Sequence, residues 1–257
     1  MNAIPDRGKC RSRFQGVLQI LDFNRPKYLA AAAGSGAAIL AWPFLAPMGR
    51  AALLVGAAPL VFWMVSSLVV SHYVYDCFPL YDLHWLSRAF THAPRRWINI
   101  HAGWDETSGL LARIFPDTLG EAVDIFDRQV MTENSIERAR RRNPGAVPAT
   151  PACYDSLPFE NATVDTAFAI FAAHELRQHK ERVRLFKEVA RILTAGGEFV
   201  LVEHARDGWN FLAFGPGFLH FFSQRAWRRA ACEAGLNVRR AFALTPFVHV
   251  LVLGRGL

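Results

Sequence analysis

The sequence lacks any close pairing of cysteines. Its four cysteines, Cys10, Cys77, Cys153 and Cys232, are scattered along the chain and form no C-x-x-C motif. Such usage is typical of a reducing compartment, and it excludes the cysteine-based zinc motifs. On this basis we predict no metal site.

Charge is also missing from a long N-terminal region. Between Tyr28 and Tyr75 the only charged residue is Arg50, which separates two uncharged runs at residues 28–47 and 51–75. A bilayer-spanning helix needs about 20 mostly apolar residues, and both runs are long enough. We therefore predict a transmembrane helical hairpin, with a pair of buried core helices as the alternative.

Basic residues flank these two runs. Six precede the first run and three follow the second: Arg7, Lys9, Arg11, Arg13, Arg25 and Lys27, then Arg88, Arg95 and Arg96. Because Lys and Arg favour the cytoplasmic side, we expect the protein in the cell (inner) membrane with both termini in the cytoplasm. Attraction to anionic lipid headgroups explains much of the net charge of +7, so we predict no nucleic-acid partner.

These patterns divide the chain into four parts. Residues 1–27 form a basic cytoplasmic N-terminus, residues 28–71 the hairpin, residues 72–94 a connector and residues 95–257 a folded domain. The connector is rich in Tyr, Trp, His and Phe, which favour the headgroup level of a bilayer. An interfacial connector and a first packed helix of the folded domain are equally compatible with this composition.

From Arg95 onward, patterns of strands and helices alternate. Strands are predicted at residues 97–101, 121–126, 164–171 and 198–203, with a closing pair at 238–244 and 248–253. Helices are predicted at residues 107–115, 132–142, 177–193 and 224–234, the third being ended by Gly196-Gly197. This alternation predicts an open α/β sheet with helices on both faces.

Two stretches of this region carry a family resemblance. Residues 155–176 read D-S-L-P-F-E-N-A-T-V-D-T-A-F-A-I-F-A-A-H-E-L, and residues 188–204 read E-V-A-R-I-L-T-A-G-G-E-F-V-L-V-E-H. The L-P-F segment, the V-D strand and the R-x-L-x-x-G-G helix end resemble class I S-adenosylmethionine-dependent methyltransferases of the type 11-like kind. The resemblance covers roughly residues 95–257. It implies a Rossmann-like sheet, S-adenosylmethionine as the cofactor and methyl transfer as the reaction.

The resemblance also places a cofactor loop after the first strand. The family's G-x-G-x-G motif falls on His101, Gly103 and Asp105, so only the central glycine is present. Hydrogen bonds from one of the side chains of Asp105, Glu106, Thr107 or Ser108 are expected to hold the turn instead, with Thr107 or Ser108 as a helix cap. Loss of the cofactor pocket is the alternative.

Acidic residues stand where the family binds the rest of the cofactor. An acid at the end of the second strand binds the ribose hydroxyls, and either Asp124 or Asp127 fits this position. Asp155 falls where the family often places an acid near the adenine. Its other interpretation is a turn residue before Pro158.

Methyl transfer requires in-line approach of the acceptor and, for an oxygen or nitrogen acceptor, removal of a proton. His174 and His204 follow neighbouring strands and are the candidate catalytic residues, with Glu175 a candidate substrate contact. The aromatic insert at residues 207–222 is expected to bind the acceptor through Trp209 and Phe218, unless it packs on its own domain.

We therefore predict a membrane-anchored methyltransferase acting on a hydrophobic small molecule or lipid. The alternatives are a non-catalytic methyltransferase-like membrane scaffold and, more weakly, a nicotinamide-dependent oxidoreductase. Fold alone does not decide among them. The sequence leaves the acceptor, the methylated atom and the oligomeric state open.

Overall fold

The computed structural model describes residues 12–90, 93–142 and 147–256. The basic residues Arg7, Lys9 and Arg11 lie outside this range. The chain forms two compact units. Among the described residues, one unit contains residues 12–78 together with Asp207–Phe218, and the other contains the rest of the chain from Pro79 to Arg206 and from Leu219 onward.

The helices and strands follow one another in this order: α1 (Gln15–Phe23), α2 (Arg25–Ala41), α3 (Pro47–His72), α4 (Leu86–Ala89), β1 (Arg96–His101), α5 (Ser108–Ile114), β2 (Leu119–Asp124), α6 (Asn134–Arg142), β3 (Ala149–Pro151), β4 (Val164–Ile170), α7 (His179–Ile192), β5 (Leu193–His204), α8 (Gly208–Phe214), α9 (Gln224–Glu233), β6 (Leu236–Thr245) and β7 (Val248–Arg255). Short 3-10 turns lie at Trp42–Phe44, Ala173–Glu175 and Gly215–His220, and a π-helical turn follows α3 at Tyr73–Cys77.

The predicted hairpin corresponds to α2 and α3, which differ in length. Within the described part of the chain, one helix is long and apolar enough to cross a membrane: Pro47–Cys77, with 31 residues and a mean hydropathy of 2.2. Its apolar stretch is not buried within the protein, as a core helix would be. Helix α2 has 17 residues, or about 26 Å at 1.5 Å per residue, against a hydrocarbon thickness of about 30 Å. The structure thus gives one candidate span where the sequence analysis predicts two.

The aromatic insert divides between the two compact units. Residues 207–218 belong with α3, and the chain returns to the other unit at Leu219. Asp207 caps α8 by accepting a hydrogen bond from the Asn210 N–H at 2.9 Å. The Phe211 ring packs edge-on to Trp63 of α3 at 5.5 Å between centroids. This part of the insert therefore packs with α3, and its predicted role in acceptor binding stays a prediction.

Residues after α3 join the core of the larger unit. Leu80, Leu83, Trp85 and Leu86 are all buried. The Trp85 indole N–H donates to the Leu80 carbonyl at 3.0 Å. These residues of the predicted connector are therefore buried in the unit that contains the sheet, and the interfacial position of the connector stays a prediction.

The larger unit is built on a seven-stranded sheet of order β3-β2-β1-β4-β5-β7-β6. Strands β1 to β5 run parallel to one another, whereas β7 runs antiparallel to both β5 and β6. Apolar side chains from the sheet and from α7 and α9 form its core, among them Ile98, Val123, Leu185, Phe186 and Trp227. The prediction of an α/β sheet is confirmed, including the closing antiparallel pair.

Two local predictions are wrong. Strand β3 is missed because its three residues, Ala149–Pro151, are too few to show a pattern. Helix α7 ends at Ile192 rather than at Gly196-Gly197, because Leu193 already pairs with Val164 of β4. Gly197 instead lies close to β4: a Cβ there would be 3.1 Å from the Asp165 carbonyl oxygen, a tight contact that glycine avoids.

Candidate functional site

The turn between β1 and α5 is held by side chains instead of glycines. Oδ1 of Asp105 accepts hydrogen bonds from the backbone N–H groups of Thr107 (3.0 Å) and Ser108 (2.9 Å). Asn99, buried on β1, donates to Asp105 and to the hydroxyls of Thr107 and Ser108 at 2.8 to 3.2 Å. Asp105 is thus the residue that staples the turn, while Thr107 and Ser108 make no side-chain cap. Asp105 holds the turn through Oδ1 alone, and its Oδ2 is buried without a hydrogen-bond partner among the described residues.

His101 ends β1 as a buried hydrogen-bond donor. Its ring is 6% exposed, and burial lowers the pKa of His101 despite the nearby carboxylates of Asp105 and Asp124, which act to raise it. Nδ1 accepts the Gly103 N–H at 2.9 Å, so in the neutral ring the proton lies on Nε2. That Nε2 has no partner among the described residues. A buried donor without an acceptor is costly, and it marks a place where a polar ligand atom fits.

Asp124 ends β2 directly beside His101, with which it is in register. Its carboxylate is engaged by Arg140 of α6, whose Nη1 lies 3.0 Å from Oδ1 and 2.8 Å from Oδ2. The same guanidinium lies 4.2 Å from the centre of the Phe126 ring. It also covers Gly103, which has φ +93° and where any Cβ would collide with it. Asp124 thus lies at the end of β2 with its carboxylate paired to Arg140, and its role in ribose binding stays a prediction.

The other two predicted acids have local partners. Asp127 accepts the Gln129 N–H at 2.8 Å and so closes the turn after β2. Asp155 is exposed and lies 3.5 Å from Arg184 of α7. The structure therefore favours Asp124 over Asp127 as the acid at the strand end, and it gives Asp155 the surroundings of a surface turn.

His174 is enclosed by two buried glutamates. Its Nδ1 lies 2.8 Å from Glu203 at the end of β5, and its Nε2 lies 3.4 Å from Glu175. The backbone N–H of His174 also donates to Oε1 of Glu203 at 3.1 Å. Burial opposes a charge on the ring, but the two carboxylates outweigh it and raise the pKa of His174 to about 10. His174 therefore faces a carboxylate on each side of its ring, and its predicted role as a base or a substrate contact stays a prediction.

His204 has the opposite character. Its Nδ1 lies 2.9 Å from the Phe247 carbonyl oxygen, which only accepts, so Nδ1 carries the proton and Nε2 is the basic nitrogen. The ring is stacked between Phe171 and Phe221, with centroid distances of 5.3 and 4.7 Å. It is 6% exposed. These contacts fix one tautomer and one orientation, which is what a general base requires.

Trp209 and Phe218 lie in the unit that contains α3. Trp209 is 60% exposed on α8, and Phe218 packs edge-on to Phe211 at 5.1 Å. His174, Glu175 and His204 belong to the other unit. The substrate-binding role predicted for the two aromatic residues stays a prediction.

Sequence reasoning missed two residues of this region. Arg140 is one of four arginines in Arg138–Arg142, and nothing in that run marks the one that reaches Asp124. His220 lies in the aromatic insert, away from any strand end, yet its ring packs edge-on to His174 at 5.2 Å. Only the fold brings either residue to the site.

Comparison with known proteins agrees with this architecture. The methyltransferase domain family matches residues 108–201 in sequence. The fold is similar to that of a S-adenosylmethionine-dependent methyltransferase from Methanosarcina mazei, with a TM-score of 0.50 and 18% identity over 67% of this chain and 97% of that one. It is also similar to a protein from Pyrococcus horikoshii OT3, with a TM-score of 0.51 and 17% identity over 71% of this chain and 98% of that one. Among curated proteins, none matches this sequence.

The larger unit therefore has the class I methyltransferase fold, and the family match supports S-adenosylmethionine as the cofactor. The residues present fit that cofactor. Gly103 permits close approach of a ligand to the turn, Asp124 ends β2, and the His101 Nε2–H is a buried donor without an acceptor.

Proposed function

We propose that this protein is a membrane-anchored S-adenosylmethionine-dependent methyltransferase that acts on a hydrophobic small molecule or lipid. One observation carries the proposal. The carboxyl ends of the parallel strands β1, β2, β4 and β5 form one edge of the sheet. His101, Asp124 and His204 are the last residues of β1, β2 and β5, and His174 lies in the short turn that follows β4. Ligands of open α/β sheets bind at this edge.

The cofactor-holding residues are Asp124, Gly103 and His101. The carboxylate of Asp124 would accept hydrogen bonds from ribose hydroxyls, Gly103 would permit close approach, and the His101 Nε2–H would donate to a polar atom. S-Adenosylmethionine supplies an electrophilic methyl group on its sulfonium. Arg140 has to release Asp124 before that carboxylate is available, so binding includes a movement of the Arg140 side chain.

His204 is the residue that would remove a proton from the acceptor. Its fixed tautomer presents Nε2 as a base, and the aromatic stacking holds the ring in place. A positioned base of this kind contributes roughly 100- to 10,000-fold to a rate. His174 would act on the same edge as a donor and positioning group, while Glu175 is a candidate substrate contact.

An apolar acceptor follows from the unit that contains α3. Its surface exposes large apolar side chains, including Val55 at 76%, Val69 at 61% and Trp209 at 60%. Exposed apolar surface of this extent marks a membrane or partner contact. With the basic residues around it, it supports anchoring at the cell (inner) membrane with the folded domain in the cytoplasm. A catalytic domain held at a bilayer meets acceptors dissolved there.

The non-catalytic scaffold keeps support from one feature of the site. Asp105 and Arg140 occupy the cofactor turn with contacts that need no ligand. A scaffold would keep these contacts permanently, whereas an enzyme would break the Arg140 contact in each cycle.

Calorimetric titration of the detergent-solubilised full chain with S-adenosylhomocysteine separates the two. We expect saturable binding at one site. In a separate assay with S-adenosylmethionine that carries a radiolabelled methyl group, the label should appear in a product extracted from membrane lipids. Absence of binding at millimolar ligand would establish the scaffold. Carbonate washing of membranes should leave the protein in the pellet, and its release would refute the anchor.

A further inference from the structure

We propose that His174, Glu175 and His220 form a binding site for a divalent transition metal ion such as Zn²⁺. Each residue offers one ligand atom, and the three atoms lie within 4.8 Å of one another. This site goes beyond methyl transfer, and its existence does not depend on that activity. It also departs from the prediction of no metal site made from the sequence. That prediction rested on the spacing of the cysteines and did not take histidine–carboxylate clusters into account.

Glu175 gives an independent indication of a cation. Its side chain is 6% exposed, and Oε2 has no hydrogen-bond partner among the described residues. Burying a carboxylate oxygen without compensation is unfavourable unless it pairs or coordinates a metal. The other oxygen, Oε1, lies 3.4 Å from Nε2 of His174. A metal ion between these groups would replace the proton on Nε2 of His174, which is released on binding, and would satisfy the carboxylate.

The second observation is the way His174 is held. Its Nδ1 faces Glu203 at 2.8 Å, and Glu203 is itself buried. Histidines that bind metals almost always donate their other ring N–H to a carboxylate, carbonyl or water, which fixes the tautomer and directs the second nitrogen at the metal. His220 has a more distant carboxylate, with Nδ1 3.7 Å from the partly exposed Glu133, which is beyond hydrogen-bond distance.

The distances suit a small tetrahedral ion. Zn²⁺ bonds of about 2.0–2.2 Å to nitrogen and oxygen place neighbouring ligand atoms about 3.4 Å apart. The His174–Glu175 separation is 3.4 Å already. The widest separation in the cluster is within 4.8 Å, so closure requires movement of about 1 Å, which rotation of the partly exposed His220 side chain supplies.

The ligand chemistry selects among metals. Two imidazoles and one carboxylate suit Zn²⁺ and its transition-metal neighbours, whereas Mg²⁺ prefers oxygen ligands and keeps its water. Three protein ligands leave one tetrahedral position for water or another oxygen atom. Use of that position for an oxygen of the methyl acceptor rests on the proposed function, but metal binding itself does not.

The test is calorimetric titration of the full chain with Zn²⁺, in detergent, without a histidine tag and without S-adenosylmethionine. We expect one equivalent to bind and a large excess of Mg²⁺ not to compete. Loss of a residue that hydrogen-bonds a metal ligand costs about 10- to 100-fold in metal affinity. Glu203→Gln, which alters the partner of His174, should lower the Zn²⁺ affinity by an amount in that range. His174→Ala, His220→Ala and Glu175→Gln each remove a direct ligand and should cost at least about 100-fold.

His179→Ala is the matched control. His179 also pairs with a glutamate, Glu233 at 2.8 Å, but it lies outside the cluster, so its loss should leave affinity unchanged. Because Glu175→Gln preserves the shape of the side chain, it still tests the site if the histidine variants fail to fold. X-ray absorption at the zinc edge should show nitrogen and oxygen neighbours only. Sulfur neighbours, which the exposed cysteines would supply, would overturn the proposal, as would absence of stoichiometric binding or equal affinity of Glu175→Gln and the parent protein.

Discussion

Arg140→Ala should tighten the binding of S-adenosylhomocysteine. In the structure the Arg140 guanidinium donates to both oxygens of Asp124 and covers Gly103. A ligand whose ribose is held by Asp124 has to displace that guanidinium, so its apparent affinity is lowered by the free energy of the contact. Removal of the side chain removes this competition.

The magnitude follows from the exposure of the pair. The side chains of Arg140 and Asp124 are 31% and 20% exposed, so the contact is neither fully solvated nor fully buried. Exposed ion pairs contribute about 0.2–1 kcal/mol, and hydrogen bonds to charged groups about 1.5–3 kcal/mol. A value of about 1 kcal/mol corresponds to roughly fivefold tighter binding, since about 1.4 kcal/mol is tenfold.

The assay is calorimetry on the parent, Arg140→Ala and a matched control, Arg141→Ala. Arg141 is the next residue of α6, and its exposed pair with Glu137 lies outside the site, so its removal should leave affinity unchanged. In an Asp124→Ala background, which should itself bind at least about tenfold more weakly, Arg140→Ala should no longer tighten binding. Unchanged or weaker binding by Arg140→Ala alone would show that Arg140 does not compete with the ligand, and the assignment of Asp124 to the ribose would lose its support.

Three further predictions concern the turn, the stability at low pH and the aromatic insert. Asp105→Ala should lower the free energy of unfolding by about 1–2 kcal/mol, because three donors lose their acceptor, and a denaturant titration with an unchanged midpoint would contradict that role. Hydrogen bonds from Arg191 lower the pKa of Glu188 below its usual value of 4.5. The ionised Glu188 side chain therefore stabilises the folded protein fully above pH 4.5, and this contribution is lost as the pH falls through the lowered pKa. In the Glu188→Gln variant the thermal unfolding temperature should fall less steeply at low pH than in the parent protein. Identical pH profiles of the variant and the parent would refute the contribution of Glu188. Trp209→Ala with Phe218→Ala should impair methylation of a lipid-extract acceptor while leaving S-adenosylhomocysteine affinity intact, and equal loss of both would instead indicate a structural role.

The sequence by itself determined the class of fold and most of its elements. Alternating apolar runs and amphipathic segments are local signals, and they located β1, β2, β4, β5, β6 and β7 to within a few residues, together with the helices that cover them. The L-P-F segment can be recognised in the sequence, but the contact that holds it spans more than 30 residues. Arg191 donates to the carbonyls of Leu157 and Phe159, so the loop and the end of α7 form one unit.

Tertiary structure decided what the site residues contact. Nothing local distinguishes Arg140 from its neighbouring arginines, because its partner Asp124 lies 16 residues away and on another element. His220 reaches His174 across 46 residues of sequence, and Glu203 reaches it across 29. Residue type and spacing show which groups can carry chemistry, but the protonation of His174, the tautomer of His204 and the occupation of Asp124 depend on burial and on partners that only the folded sheet brings together.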